Sequence, residues 1–434
     1  MGNSLEKKVS STQQLVISLS EEEEIKIIVK CWLRISNIKL GWIRDFDKIV
    51  ANYATAFLML NTFYSSSKLL KTFKGHINWV LSIDCSVFDC DQFICSGSND
   101  KTVRTGQIKL FNGHSNVVRC VKFSLYHYHK YRSKVICSSS DDKTIRFWDI
   151  KGNEQLQLLN GHKDRIYGIE FSSFSIGRYL CSGSDDHTIR LWDVETSKLL
   201  HIFDGHTHGI WCVDISPLQS NNSNDNKSNS IGVIGGNGYT ICSGSCDKTI
   251  RIWDIETAKQ LILFKGHEGT VRSVKYGSNK LGINGGSNTI LSGSNDKSIR
   301  LWDIRSSQQI QVFNGHKNVV TCVEYSPFVV NNIEHCGNSN VICSGSSDGT
   351  IQFWDIRSNK EKLYVINGDI ENFGVYCLKF VQFKKKGKII NNNDNINMCY
   401  DNIFFQIIAH KKQLLFLSLL KSLLLRLNML MFDH

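Results

Sequence analysis

Histidine, serine and aspartate recur together along this chain in a fixed order, and these three side chains build the nucleophilic triad of many hydrolases. In such a triad a serine attacks, a histidine takes its proton and an aspartate orients the histidine. Each set here also contains a tryptophan. The five complete sets are His114, Ser138, Asp142 and Trp148; His162, Ser182, Asp186 and Trp192; His206, Ser243, Asp247 and Trp253; His267, Ser292, Asp296 and Trp302; and His316, Ser344, Asp348 and Trp354.

The repetition of the sets argues against catalysis. A catalytic triad occurs once, on an exposed nucleophile beside an oxyanion hole, whereas five copies at regular spacing indicate a structural hydrogen-bond network. We therefore interpret the sets as structural tetrads and predict that the chain is not an enzyme. No cofactor and no metal site is expected, because no Cys-x-x-Cys pair with histidines at zinc spacing occurs.

The tetrads belong to a longer repeated unit, which positions them. Each unit opens with Gly-His, continues with Ser-x-Ser-x-Asp and closes with Trp-Asp, and neighbouring units begin about 38 to 61 residues apart. Self-similarity at such a period indicates stacked or circular repeats. In the segments between clusters of turn residues, apolar and polar residues alternate, as they do in antiparallel strands. In the third unit we predict strands over residues 166–171, 179–182, 188–193 and 199–203.

The bulk composition is that of an ordinary soluble globular protein, with 434 residues of which 41% are hydrophobic and 21% charged. The formal net charge of +11 favours acidic partners. Nucleic acid is not expected, because Lys384-Lys385-Lys386 is the densest basic run. Cysteines recur at equivalent places in the repeats, which indicates that they are small buried side chains and that their thiols are reduced. The chain opens without a secretory pattern, so we expect an intracellular protein, cytoplasmic or nuclear.

The two ends of the chain differ from the repeats. Ser20 followed by Glu23 is typical of a capping box, and apolar residues then recur at helical spacing. The leucine-rich end is interrupted by Lys421 and Arg426, which favours a helix over a membrane span, so a membrane partner is not expected. The predicted regions are a disordered segment at 1–19, a helical hairpin at 20–66, a repeat domain at 67–410 and an apolar, helical tail at 411–434.

These motifs resemble those of the WD-repeat family of β-propellers, the proteins with G-protein-beta-like repeats, over roughly residues 67–380. The resemblance implies an all-β, seven-bladed propeller behind a small α-helical N-terminal element. Each unit would supply the last strand of one blade and the first three strands of the next. Each tetrad would tie the loop that carries the histidine to the turn that carries the aspartate and to the strand that carries the tryptophan.

Two units depart from the pattern. The first unit keeps the histidine, serine and aspartate but has no Trp-Asp, so its blade is predicted to be truncated. The seventh has Gly368-Asp369 in place of Gly-His and lacks the later motifs, so the last blade is predicted to be degenerate. Closure of the ring would pair Lys68–Phe73 with this last blade, and residues 398–409 could supply its missing strands.

In propellers of this family, residues three and five positions after the Gly-His histidine tend to line the top entrance of the central channel. Tryptophan, tyrosine and arginine, which are enriched at interaction hot spots, occupy several of these positions. We predict a scaffold that binds protein or peptide partners there, with arginines suited to acidic or phosphorylated ligands and with no small-molecule substrate. The alternative is an ordinary solvated rim. The predicted partner-binding residues are Trp79, Leu81, Arg119, Arg165, Tyr167, Trp211 and Arg272.

A second interaction hypothesis comes from two copies of Trp-Asp-x-Arg, which end at Arg305 and Arg357. This motif resembles the box by which some propellers dock onto the adaptor of cullin-type ubiquitin ligases. The alternative function is therefore that of a ligase substrate receptor, with these two arginines as docking residues. Because so short a motif arises readily in any WD repeat, the scaffold is the preferred hypothesis.

Overall fold

β-Strands are the main element of this computed structural model. It describes residues 68–89, 91–106, 109–215, 239–277, 289–326, 341–356, 362–367, 374–382, 396–400 and 405–409, which all fall within one compact unit spanning 59–434. The predicted disordered segment, the helical hairpin and the apolar tail lie outside the described residues.

Six four-stranded antiparallel sheets are each built from strands that follow one another along the chain. Blades 1 to 3 contain β2 (Val80–Phe88), β3 (Asp91–Ser98), β4 (Val103–Thr105) and β5 (Lys109–Phe111); β6 (Val118–Phe123), β7 (Val135–Ser140), β8 (Thr144–Asp149) and β9 (Glu154–Asn160); and β10 (Ile166–Phe171), β11 (Tyr179–Ser184), β12 (Ile189–Asp193) and β13 (Lys198–Phe203). Blades 4 to 6 contain β14 (Ile210–Ile215), β15 (Thr240–Ser245), β16 (Ile250–Asp254) and β17 (Gln260–Phe264); β18 (Val271–Tyr276), β19 (Thr289–Ser294), β20 (Ser298–Asp303) and β21 (Gln308–Asn314); and β22 (Val320–Tyr325), β23 (Val341–Ser346), β24 (Thr350–Asp355) and β25 (Lys362–Asn367).

One further sheet combines a strand that precedes the six blades along the chain with three strands that follow them. We call it the joining sheet. Its strands are β1 (Lys68–Phe73), β26 (Leu378–Gln382), β27 (Ile396–Tyr400) and β28 (Phe405–Ala409), in the order β1-β28-β27-β26. The prediction of seven WD-repeat blades is therefore wrong: six blades are formed by the repeats. The seventh segment lacks the Gly-His, Ser-x-Ser-x-Asp and Trp-Asp motifs, so it has no tetrad and instead supplies strands to this composite sheet.

The hydrophobic core lies between neighbouring blades. It forms there because alternate side chains along each strand point to opposite faces of its sheet. Between blades 3 and 4, Phe203 packs with Ile210, Ile241 and Trp253, all at most 1% exposed. Burying each such side chain stabilises the fold by roughly 1.5–3 kcal/mol. In blade 3 this packing leaves little room for a side chain at the glycine of Ser-Gly-Ser, because a Cβ at Gly183 would lie 2.8 Å from Ile210.

The first strand of each blade lies innermost and packs against the first strand of the next, so these strands line a central channel. At one end of the blades are the loops that carry the tetrad histidines and the turns that carry the tetrad aspartates, and we call this end the histidine face. The connections between first and second strands emerge at the other end, where α1 (Leu125–Tyr131) lies. Within the described ranges, no helix is long and apolar enough to cross a membrane.

Candidate functional site

The tetrad of blade 3 is a continuous chain of hydrogen bonds. Trp192 Nε1 donates to Ser182 Oγ at 2.9 Å, and Ser182 Oγ lies 2.7 Å from His162 Nε2. His162 Nδ1 lies 2.8 Å from Asp186 Oδ2. The loop before β10 is thereby tied to β11, to the turn after β11 and to β12. The serine is fully buried and already bonded on both sides, which is not the arrangement of an exposed nucleophile.

The protonation states within this tetrad follow from burial and bonding. Burial lowers the pKa of His162 despite the neighbouring carboxylate, so the imidazole is neutral. Burial alone would raise the pKa of Asp186, but the hydrogen bonds from His162 and Thr188 outweigh it and hold the pKa well below its usual range. A neutral imidazole that donates from Nδ1 and accepts the serine hydroxyl at Nε2 satisfies every polar atom of the chain.

The other four complete sets form the same bonds. His Nδ1 to Asp Oδ2 distances are 2.7 to 3.1 Å, His Nε2 to Ser Oγ distances are 2.7 to 2.8 Å, and Trp Nε1 to Ser Oγ distances are 2.8 to 3.0 Å. In blade 1, His76 bonds Ser96 at 2.9 Å and Asp100 at 2.8 Å, without the tryptophan. The repeats thus hold the histidine face rigid.

On that face, four predicted residues from consecutive blades form one row at the mouth of the channel. The Tyr167 and Trp211 rings stack with centroids 4.2 Å apart and planes 6° apart. Arg119 lies over the outer face of the tyrosine, with Cζ 5.4 Å from the ring centroid. Arg272 covers the tryptophan, with Cζ 3.6 Å from the centroid. We call these four residues the aromatic–arginine row.

Each row member except Tyr167 is bonded to the residue that precedes the tetrad aspartate of its own blade. Arg119 donates from Nε and Nη2 to both carboxylate oxygens of Asp141, at 2.8 Å each. Trp211 Nε1 donates to Cys246 Sγ at 2.8 Å. Arg272 Nε donates to Asn295 Oδ1 at 2.8 Å. The sequence places both positions on the rim, but it does not reveal that they are neighbours.

The remaining predicted rim residues lie around this row. Trp79 is 45% exposed and stacks on Tyr376, with ring centroids 6.0 Å apart. Arg165 is exposed, and Leu81 is half-buried where it lines the channel. Tyr167 is only 9% exposed, so it contributes to the row from below rather than as a free surface. Sequence reasoning missed Tyr376 because the seventh segment has no Gly-His from which to count.

Below the mouth, the channel carries charges that sequence reasoning also missed. Glu170 lies 2.6 Å from Lys122 Nζ and 3.4 Å from Lys275 Nζ, and the latter lies 3.5 Å from Asp214. Burial alone would raise the pKa of Glu170, but Lys122 and Lys275 lower it to about 2. A signal was present: each charged residue stands eight positions after a Gly-His histidine, on the first strand of its blade. These ion pairs place charged side chains inside the channel.

The site offers aromatic faces, guanidinium donors and fixed backbone loops, which are suited to binding rather than to bond making. Among the described residues, no group of three or more histidine, cysteine, aspartate or glutamate side chains is placed to hold a metal ion. Arg305 is exposed at the end of the blades opposite the histidine face, and Arg357 lies outside the described residues.

The fold and the repeated tetrads define a WD-type β-propeller, a class typical of protein-interaction scaffolds without catalytic activity. The profile of the WD domain, G-beta repeat, matches residues 67–105, 106–149, 153–193, 197–254, 258–303 and 307–355. These stretches cover more than half of the chain, which therefore belongs to the WD40 repeat family.

Two plant proteins, each called guanine nucleotide-binding protein subunit beta, are similar to a short part of the chain. The protein from Oryza sativa subsp. japonica is 42% identical and that from Arabidopsis thaliana 44% identical, each over 48 residues. The similar stretch is 11% of this chain and 13% of either relative. So local a similarity supports the repeat type alone.

Proposed function

We propose that this protein is a non-catalytic scaffold that binds a protein or peptide partner across the channel mouth on the histidine face. The observation that carries the proposal is the aromatic–arginine row, four large side chains from four blades in mutual contact. Tyrosine, tryptophan and arginine are the residues that most often supply binding energy at protein interfaces. Because stacking already fixes them, little side-chain entropy is lost when a partner binds.

The charge of the histidine face favours an acidic partner. In four blades the turn that follows the aspartate of the hydrogen-bond network carries a lysine. Each of these four lysines has a left-handed backbone, with φ between 67° and 70°. They are Lys101, Lys143, Lys248 and Lys297. Arg165 adds an exposed guanidinium beside the row. Such a cluster steers acidic or phosphorylated segments toward the mouth and accelerates encounter.

The alternative of a merely solvated rim makes a different prediction for partner recovery. Affinity purification would compare the wild-type chain with a variant carrying Trp79→Ala, Arg165→Ala and Trp211→Ala. Leu156→Ala with Leu261→Ala is the matched control, because both leucines are exposed on outer strands away from the mouth. We expect partners to be lost only from the mouth variant. Identical partners from all three proteins would refute the proposal.

A second candidate function, that of a substrate receptor of a cullin-type ubiquitin ligase, uses the opposite face. Asp303 Oδ1 accepts the backbone N–H of Arg305 at 3.1 Å, and Asp303 Oδ2 accepts Ser306 Oγ–H at 2.8 Å. The turn that carries this exposed arginine is therefore fixed, as a docking element requires. Arg305→Ala with Arg357→Ala should abolish recovery of a ligase adaptor while partners at the mouth are kept. Unchanged adaptor recovery would remove this candidate.

A further inference from the structure

Arg119 and Arg272 stand at the same position of their repeats, five residues after the histidine, but different groups face them. Asp141, a carboxylate, holds Arg119 by two hydrogen bonds of 2.8 Å. Asn295, a neutral amide, accepts only the Nε–H of Arg272, also at 2.8 Å. One arginine is thus neutralised within its own blade, and the other keeps its charge.

Arg272 is half-buried and has no carboxylate partner among the described residues. One face of its guanidinium is covered by Trp211, and Arg119 across the row contributes a like charge. Burial lowers the pKa of Arg272, yet a guanidinium stays protonated in proteins. A partly desolvated cation without a counterion is costly, and an anion that reached it would recover that cost.

We infer that Arg272 and Asn295 form an anion subsite that accepts one carboxylate side chain from a bound peptide. This inference rests on the proposed function, since it names the group that the mouth recognises. The pair formed by Arg119 and Asp141 illustrates the fit, because the same arginine position in blade 2 already binds a carboxylate. Within the row, Arg272 is the guanidinium that lacks a carboxylate, and one such cation matches a monoanion better than a phosphate dianion.

The two blades supply reciprocal variants that keep both arginines. Asn295→Asp would place a carboxylate against Arg272, as Asp141 stands against Arg119, and would neutralise the subsite from within. Asp141→Asn would release Arg119 and create a second subsite. Both exchanges preserve side-chain size, so the tetrads and the row should persist. Arg272→Gln removes the cation and completes the set.

The test is selection from a displayed library of random hexapeptides on the immobilised full chain, followed by titration of a labelled selected peptide. We expect wild-type protein to enrich peptides with one recurring Asp or Glu, and Asn295→Asp and Arg272→Gln each to weaken binding of such a peptide about tenfold or more. Replacing its acidic residue by Gln should weaken binding to wild type equally, with no effect on Asn295→Asp. Asp141→Asn should enrich peptides with a second acidic residue.

The outcomes separate this inference from the proposed function. One outcome would overturn the subsite and leave the proposed function standing. In it, the selected peptides bind wild type but not the variant in which Trp79, Arg165 and Trp211 are replaced, and they either show no preference for acidic residues or keep that preference with Asn295→Asp. Enrichment of no peptide, or equal enrichment by that mouth variant, would overturn both. Tighter binding when the acidic residue is replaced by phosphoserine would overturn the assignment to a carboxylate.

Discussion

Tyr167 and Trp211 stack almost parallel, 4.2 Å apart, although they come from different blades and 43 intervening residues separate them. The stack presents the tryptophan to Arg272 and the tyrosine to Arg119, so the two aromatic rings fix the distance between two guanidinium groups. This contact between neighbouring blades is the centre of the row on which the proposed binding at the channel mouth rests.

Trp211→Ala should weaken partner binding by about 2 kcal/mol or more, roughly thirtyfold, because a packed aromatic anchor would be lost. Trp211→Phe keeps a stacking surface and should cost much less. Binding of a partner recovered with wild-type protein, measured by calorimetry, would check both variants. Equal affinity of the alanine variant and wild type would show that the row is not part of the interface.

Asp186→Ala should destabilise the fold by a few kcal/mol, because four donors lose their acceptor together. These donors are His162 Nδ1, the backbone N–H of Lys163, and the N–H and hydroxyl of Thr188, at 2.6 to 3.0 Å. The measurement is the thermal unfolding midpoint. Asp204→Ala, at an exposed position, is the control and should leave the midpoint nearly unchanged. An unchanged midpoint for the Asp186 variant would contradict a structural role of the tetrads.

Stability should fall as the pH drops from 7.5 to 5.5. Burial lowers the pKa of four tetrad histidines in the folded protein, whereas in the unfolded chain they titrate near 6.5. Below that pH the unfolded chain binds protons that the folded chain does not, so the free energy of unfolding decreases. The loss should be at most about 1.4 kcal/mol per histidine at pH 5.5. These histidines are His114, His162, His206 and His267.

Denaturant unfolding at several pH values would measure this dependence. In His162→Gln the free energy of unfolding should depend less steeply on pH than in the wild type, by the contribution of one histidine. A free energy of unfolding that rises toward pH 5.5 would mean that the folded tetrads bind protons more tightly than the unfolded chain.

Glu170→Gln should lower stability by about 2 kcal/mol, because Lys122 and Lys275 would lose a shared counterion inside the channel. The cost should be smaller than for a dry ion pair, since the Glu170 side chain is 20% exposed. Thermal unfolding of Glu170→Gln beside Glu256→Gln, an exposed position, would test it. If the two variants unfold at the same temperature, the charges in the channel do not contribute measurably.

The sequence by itself determined the repeat, the strands and the tetrads. In the third unit the predicted strands agree with β10 to β13 to within two residues, because alternation and turn residues act locally. The four residues of a tetrad, such as His162, Ser182, Asp186 and Trp192, lie within one unit of the repeat. A fixed spacing along the chain is therefore enough to bring the four side chains together.

Only the tertiary structure decided how the units meet. The row from Arg119 to Arg272 and the bridge from Lys122 through Glu170 to Lys275 both cross blade boundaries, and their distances depend on the angle between blades rather than on any spacing. The sequence also predicts that Lys68–Phe73 pairs with the last segment, and β1 does pair with β28, more than 330 residues away. Only the tertiary structure decides the strand order β1-β28-β27-β26 and its register. The family resemblance implies seven WD-repeat blades, whereas the repeats form six, because the last segment lacks the repeat motifs.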